Sequence, residues 1–579
     1  MNEQFSTFSK TNRRWLEGWW LIRAILAVWS VILGVWIYRE SIIDGGMPCW
    51  DGYDRCSWGA SIWVTLQNGD WGLFWEYTNQ QFVWPFLHSW VTGLLFWLFG
   101  PSVTTARLFA LASYVAMAVL LLYWFRGIGH RREWFPLSGV GALTAWLLFT
   151  TPAVFIEHAS SVMSELPGLL LVTAVLFVCP REDRGRVRWN LLAGILLGLL
   201  FWYKYNFAGL TYIGLLIARG LQAWQEGRTK EPFRLCWHNG LLFGVPLLMM
   251  GLWMLPNFAS KLDGLIYFAV NNPEARMPFS WQSLLYYPVV IPERYFAHPW
   301  IAYASLILVL ASAPFNRKLR FTNPLVTCFL IHFAAAVAHP MKDPRFILIP
   351  MGLYYLITAE SLVAMLHAVR AGSYTVRFIP VTALATVMLV LTVAFQSEQH
   401  RQPHVTQARH HLAPIHTAID RLQPGDRPTF LLAHDQVIPP AVNYYLTYEL
   451  RALRNPMNGE RFRWNHGFMF TKGETVRNMP EEERFEQLRH HLWLEQSQVI
   501  VTMQSTQPWK IANFDNLYGG VHEYANLPPT WASLSEPSNA IIPRSRGSCA
   551  STATGALPSR KSGQSPSSED FFLGGFCFC

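Results

Sequence analysis

Two aspartates follow the first long apolar run, in Trp50-Asp51-Gly52-Tyr53-Asp54-Arg55. A carboxylate in an outer loop beside a bilayer can act as a general base or as a metal ligand. The same residues also read as a solvated turn, because Asp-Gly is common in turns, and on spacing alone the turn is the simpler reading. Other motifs narrow the chemistry. The eight cysteines show no Cys-x-x-Cys metal pattern. The histidines at 404, 410, 411, 416, 490 and 491 lack a zinc-type partner set and read as surface residues. No GxxxxGK loop is present, which argues against nucleotide-driven transport.

The elements that would position such residues are membrane helices. Of the 579 residues, 51% are hydrophobic and only 14% charged, against about 25% charged in an ordinary soluble domain. Many of the 27 tryptophans stand near the ends of apolar runs, as Trp15, Trp19, Trp20, Trp84, Trp124 and Trp189 do. Amphipathic rings favour that depth in a bilayer. The net charge of +9 then fits a membrane surface more simply than nucleic acid. A crossing needs roughly 20 mostly apolar residues. Candidate runs are 16–38, 105–125, 136–155, 166–178, 191–205, 207–218, 241–256, 300–314, 323–338, 346–366 and 378–395. The first lacks a small-residue cleavage site and reads as a retained anchor.

Positive charge marks cytoplasmic loops. Lys10, Arg13 and Arg14 precede the first run, Arg126, Arg131 and Arg132 follow the second, and similar clusters follow the fourth, sixth and eighth. All fall on one side if eleven runs cross. The N-terminus is then cytoplasmic and the chain beyond Phe395 extracytoplasmic. The apolar stretch 82–100 would break this regularity as a twelfth crossing, so it is expected as a helix in the outer interface. The predicted fold class is membrane all-α, with about eleven transmembrane helices and a long first outer loop, plus a C-terminal small α/β domain. The domains are 1–396, with the outer loop 39–104 carrying the site, then 397–540, then a Ser/Gly/Arg-rich tail at 541–579 expected to be disordered. Within 397–540, Thr429–Ala433 and Gln498–Thr502 read as strands, and 405–422 and 481–495 as helices.

The order of short motifs adds a resemblance. Asp54-Arg55-Cys56-Ser57-Trp58-Gly59-Ala60 is followed by Asn68-Gly69-Asp70-Trp71, fifteen residues separating Asp54 from Gly69. Then come Trp84-Pro85-Phe86-Leu87-His88-Ser89-Trp90, Leu98-Phe99-Gly100-Pro101-Ser102 and Ala106-Arg107-Leu108. Gly194-Ile195-Leu196-Leu197-Gly198 with Lys204, and Pro344-Arg345-Phe346 with Pro350, complete the series. This order, over roughly 15–395, resembles the GT-C glycosyltransferases that use polyprenyl-phosphate sugars, among them protein mannosyltransferases and the lipid A aminoarabinose transferase. Where that pattern carries basic residues before the Pro segment and shortly after the Asp, this chain has Val83 and Ser57, with Arg55 instead.

The resemblance implies an enzyme of the plasma membrane of a bacterium. It would move a sugar from a polyprenyl-phosphate carrier to a lipid, glycan or protein acceptor on the extracytoplasmic side, without nucleic acid and with no cofactor or metal indicated. Asp54, with Asp51 as the less well matched acid, would take the acceptor proton. A single displacement through an oxocarbenium-like state would invert the anomeric carbon. Lys204, Arg345, Lys342 and Arg107 would meet the donor phosphate. Lys204 reads equally as a snorkelling side chain, and Arg107 as a helix anchor. Glu157 and His158 would be acceptor or accessory contacts, or a solvated loop. Glu165, before Pro167, reads as a helix start. The loop Asn271–Arg276 would cover the site. Cys49 and Cys56 flank the aspartates and are either a disulfide or two thiols. The rival reading is a transporter or flippase for lipid-linked sugars, although no internal repeat or broken midplane helix marks the sequence as a transporter.

Overall fold

The computed structural model describes residues 22–43, 51–81, 84–125, 135–179, 187–225, 232–266, 281–314, 316, 319–339 and 342–372, and two strands at 428–433 and 499–504. The run 378–395, the helical stretches 405–422 and 481–495, the loop Asn271–Arg276, Cys49 and the tail 541–579 lie outside the described residues. The chain divides into a unit of Met1–Thr406 and a unit of Gln407–Cys579.

In the first unit the described residues are helical. The helices begin with α1 (Ile22–Ile42, ending in a π turn), α2 (Asp51–Asn68), α3 (Trp71–Asn79) and α4 (Leu87–Phe99). Next come α5 (Val103–Trp124), α6 (Phe135–Thr150), α7 (Ala153–Ala159), α8 (Glu165–Val178), α9 (Val187–Tyr203) and α10 (Tyr205–Gln225). The series ends with α11 (Pro232–Met254), α12 (Phe258–Ile266), α13 (Trp281–Arg294), α14 (Pro299–Ser312), α15 (Pro324–Ala338) and α16 (Leu348–Gly372), the last entered through a 3₁₀ turn at Pro344–Ile347. The segment between α1 and α5 therefore carries helices of its own, α2 to α4.

Among the described residues, three helices are long and apolar enough to cross a membrane: Ile22–Ile42, Val103–Trp124 and Pro344–His367. The number rises to six if each of three bent pairs counts once: α6 with α7 at 70°, α11 with α12 at 105° and α13 with α14 at 110°. A proline stands at each of these breaks, although Pro246 in α11 and Pro288 and Pro292 in α13 are carried within helices. Pro152 precedes α7, Pro256 lies between α11 and α12, and Pro299 opens α14. A ring that removes the backbone donor and bars the preceding residue from helix ends a run at that point. Four more apolar helices, including α4, α8, α9 and α15, are only 10–17 residues long. Among the described residues, fewer of the apolar runs thus qualify as single straight crossings than their hydropathy alone implies.

The outward faces remain apolar. On α1, Ile25, Val28, Ile32 and Val35 are 55%, 60%, 47% and 53% exposed at helical spacing. Such a stripe has no place on a water-soluble surface but suits lipid. Inside, Tyr114, Met117, Ala118, Leu121 and Leu122 of α5 pack with α6, α8 and α16 around Trp146, Phe149 and Tyr355. The Trp146 indole donates to Ser30 Oγ at 2.9 Å, tying α6 to α1.

Glycines set two close crossings. A Cβ on Gly194 would lie 2.3 Å from the Leu241 carbonyl oxygen, and one on Gly198 would lie 2.2 Å from Met249 Sδ. These residues form a Gly-x-x-x-Gly face that brings α9 onto α11, the device membrane helices use for close approach. On α2 and α4, Gly59 abuts Thr92 and Gly93 abuts Ile62 in the same way. In the second unit, β1 (Pro428–Ala433) pairs in parallel with β2 (Val499–Gln504), Pro428 opposite Val499. The two strands expected from hydropathy fall on these segments. Parallel partners require a crossover between them.

Candidate active site

Several of the motifs turn out to be joints that place the site. Gly69 takes φ +67° and ends α2. Asp70 then caps α3, its Oδ1 accepting from the Leu73 amide at 2.9 Å. Gly100, at φ +85°, ends α4, and Ser102 caps α5 by accepting from Thr105 N at 3.0 Å. A side-chain oxygen at such a cap satisfies one of the first-turn donors, and glycine reaches positive φ without the Cβ cost. The Gly-Asp-Trp and Phe-Gly-Pro-Ser segments thus turn the chain sharply between helices.

Asp51 opens α2 and Asp54 lies one turn further on. Their neighbour Arg55 is buried, with its guanidinium carbon 5.9 Å from the centre of the Trp84 ring. Trp84 stacks on Tyr205 at 5.7 Å, and Tyr205 stacks in turn on Trp253 at 6.4 Å. Lys204 is the single residue between α9 and α10, so the Gly-x-x-x-Gly contact of α9 sets its position. Its ammonium lies 5.2 Å from the Trp84 centroid and 4.4 Å from that of Phe207. Desolvated cation–π contacts of this kind contribute about 2 kcal/mol.

Lys204 does not reach into lipid-facing water as a snorkelling side chain would. Its Nζ donates to Glu165 Oε1 at 3.1 Å and to Ser164 Oγ at 2.9 Å. Both partners stand at the start of α8, and the Lys204 and Glu165 side chains are 8% and 3% exposed. Glu165 therefore does more than begin a helix. Its other oxygen, Oε2, lies 4.0 Å from His158 Nδ1 at the end of α7. Among the described residues, neither of those two buried atoms has a hydrogen-bond partner. Glu157 is exposed, one residue away. Charge–charge interactions also reach Glu165 from Arg345 and Arg55, and His158 from Asp343 and Arg345. His88 on α4 feels Arg55, Glu165 and Lys204. The fold thus gathers Arg55, His88, His158, Glu165, Lys204, Asp343 and Arg345 from five separate stretches of chain.

Arg345 is held in the turn that opens α16. Asp343 Oδ1 accepts from the Arg345 amide at 2.8 Å, and Oδ2 lies 3.1 Å from Arg345 Nε. Tyr287 donates to the Asp343 carbonyl at 3.3 Å, Tyr295 to the Pro344 carbonyl, and Tyr355 to the Tyr295 carbonyl. Tyr287 and Tyr295 thus clamp this turn, and Tyr355 holds the backbone of Tyr295. Lys342 has a different task. Its Nζ donates to the carbonyls of Val337 and His339, each at 2.6 Å, and of Ala336 at 3.5 Å, capping the C-terminus of α15. An ammonium suits the negative end of a helix. Burial holds the Lys342 ammonium below its ordinary value. Arg107 is buried, and its Nη1 donates to the Ile42 carbonyl at 3.5 Å, joining α5 to the end of α1.

Of the residues singled out in the sequence, Lys204 and His158 lie together at one centre, with Arg345 within electrostatic reach. Lys342 and Arg107 are engaged in helix ends. Sequence reading missed the part played by Glu165, Ser164 and Trp84. The usable signal was an acid at the start of the apolar run of α8, which demands a counter-charge at the same depth. Among the described residues, no group of three or more His, Cys, Asp or Glu side chains is placed to hold a metal. Cys56 is buried in α2, and Cys179 and Cys328 are buried free thiols.

No family model and no curated protein matches the chain. Solved structures similar to it include ArnT, the lipid A aminoarabinose transferase, from Cupriavidus metallidurans bound to undecaprenyl phosphate. That similarity covers 85% of this chain and 90% of that one at 15% identity, with a TM-score of 0.48. The apo form of the same protein is 14% identical over 73% of this chain and 84% of that one, also with a TM-score of 0.48. The apo oligosaccharyltransferase of Archaeoglobus fulgidus is 15% identical over 66% of this chain and 56% of that one, with a TM-score of 0.39.

Proposed function

We propose that the chain is an integral-membrane glycosyltransferase. It moves a sugar from a polyprenyl-phosphate donor to an acceptor hydroxyl on the extracytoplasmic side of the membrane. The observation that carries this reading is the buried Lys204–Glu165 pair, with Lys204 and Arg55 both against the Trp84 ring and Arg345 within electrostatic reach of Glu165. Arg55 lies on the helix that bears Asp54. Helices whose outer faces are apolar would let the carrier's hydrocarbon stay in lipid while its phosphate meets these cations. The anomeric bond to phosphate breaks as the acceptor oxygen attacks. Asp54 takes the acceptor proton and the cations take the charge developing on the leaving phosphate. A single displacement inverts the anomeric carbon. The acceptor is a lipid, a surface glycan or a protein. Asp51 is the second acid on α2. Glu157, exposed beside His158, is an acceptor contact.

The test is sugar transfer by the reconstituted chain from polyprenyl monophosphate sugars. Asp54→Asn should cut the rate about 10²–10⁴-fold, the usual contribution of a general base, while the melting temperature stays unchanged. Full activity in that variant removes Asp54 from the role. No transfer from any polyprenyl monophosphate sugar by the wild-type chain overturns the reading.

A further inference from the structure

The Glu165 carboxylate faces two ways. Oε1 accepts from Lys204 at 3.1 Å, and Oε2 points to His158 Nδ1 at 4.0 Å. The second contact is too long for a hydrogen bond. Both of its atoms are buried and lack a hydrogen-bond partner among the described residues. A buried polar atom left unsatisfied costs about 1–3 kcal/mol, so two of them face to face call for an explanation. Lys204 is meanwhile neutralised by a carboxylate inside the protein, and any anion that binds it must displace that carboxylate or share with it.

We infer that Glu165 is a stand-in for the donor phosphate and that His158 is the partner that receives it. With the site empty, Glu165 keeps the Lys204 ammonium charged and aimed. When the carrier phosphate arrives, Lys204 turns to it and Glu165 shifts the short distance to His158 Nδ1, which donates to the released carboxylate. When the spent carrier leaves, Glu165 returns to Lys204. Both Glu165 and His158 are positioning residues, since each acts through Lys204. The other charged groups felt at His158 are Glu157 on its own helix and Asp343 and Arg345 from the turn before α16. Arg345 lies within electrostatic reach of Glu165 as well, so the shift takes place inside one connected set of charges. The inference rests on the donor being a polyprenyl phosphate.

The experiment is binding of undecaprenyl phosphate to the full chain in nanodiscs, with transfer kinetics alongside. Four proteins form a cycle: wild type, His158→Ala, Glu165→Gln and the double variant. His158→Ala should weaken binding about tenfold in the wild-type background and less than about twofold beside Glu165→Gln, since contacting groups couple on this scale. Glu165→Gln alone should tighten binding about three- to tenfold and lower kcat and KM together, because the spent carrier leaves more slowly. His158→Asn keeps a donor at the Nδ1 position and should retain most of the affinity. His158→Gln fills the space but sets its amide elsewhere, and should reproduce the Ala loss should Ala not fold. An equal loss from His158→Ala in both backgrounds overturns the exchange while leaving the donor reading intact. No binding by any of the four proteins overturns the donor reading itself.

Discussion

Replacing Lys204 by Met tests whether its contact with Glu165 is an interior ion pair. The substitution keeps the stem but removes the ammonium. It leaves Glu165, 3% exposed, without the cation 3.1 Å away. A buried charge stripped of its partner costs about 3–5 kcal/mol. Protonation sets a ceiling, because Glu165 can take up a proton instead. From an ordinary Glu value of ~4.3, neutralising it at pH 7 costs about 1.36 × 2.7, or roughly 3.7 kcal/mol. The ceiling falls by about 1.36 kcal/mol per pH unit, to roughly 1 kcal/mol at pH 5. Lys204→Met should therefore be about 3 kcal/mol less stable than wild type at pH 7, with most of the deficit gone at pH 5. The sign follows from linkage: the folded variant binds the proton more readily than the unfolded chain, so its stability rises as pH falls. Lys204→Met/Glu165→Gln removes both charges and should recover most of the stability at pH 7, yet neither variant should transfer sugar. Equilibrium unfolding in mixed micelles at the two pH values, with the transfer assay in parallel, reads all of this. A Lys204→Met protein as stable as wild type at pH 7, or one equally destabilised at both pH values, would refute the interior ion pair.

Gly198→Leu forces a side chain against Met249 Sδ and should cost about 1–3 kcal/mol by overpacking. It should also lose transfer, because α9 carries Lys204, and melting and activity measured together check this. Lys342→Met should lower stability by about 1–2 kcal/mol through loss of the α15 cap and leave undecaprenyl phosphate affinity within about twofold of wild type. A large loss of affinity would return Lys342 to the phosphate. Tyr295→Phe removes the bond to the Pro344 carbonyl and should raise the donor KM several-fold through a looser Arg345 turn, with kcat reduced less.

Much of this protein can be read from local pattern. Apolar runs separate the first unit from the second because lipid-facing helices need unbroken hydrocarbon, and this shows in composition residue by residue. The strands near 429–433 and 498–502 announce themselves as short apolar runs, the second of them β-branched. Asp70 and Ser102 are legible as helix caps, since a cap depends on neighbours within a few residues. Other features depend on distance through space. Lys204 has one meaning as a snorkelling tip and another as the partner of Glu165, and 39 residues of chain separate the two. Only the packing of α8 on α9 decides between them. Lys342 and Arg345 look alike in a short basic loop, yet one caps α15 and the other is braced by Asp343 and by two tyrosines bonded to its turn. The reach of their side chains across neighbouring helices makes that choice. The bends that turn apolar runs into elbows fall at prolines visible in the sequence, but their angles depend on the helices they pack against. Local chemistry thus specifies which residues can be charged, capped or buried in lipid. Which charges meet is a property of the assembled helices, because a buried ion pair exists only where packing brings both ends to the same depth.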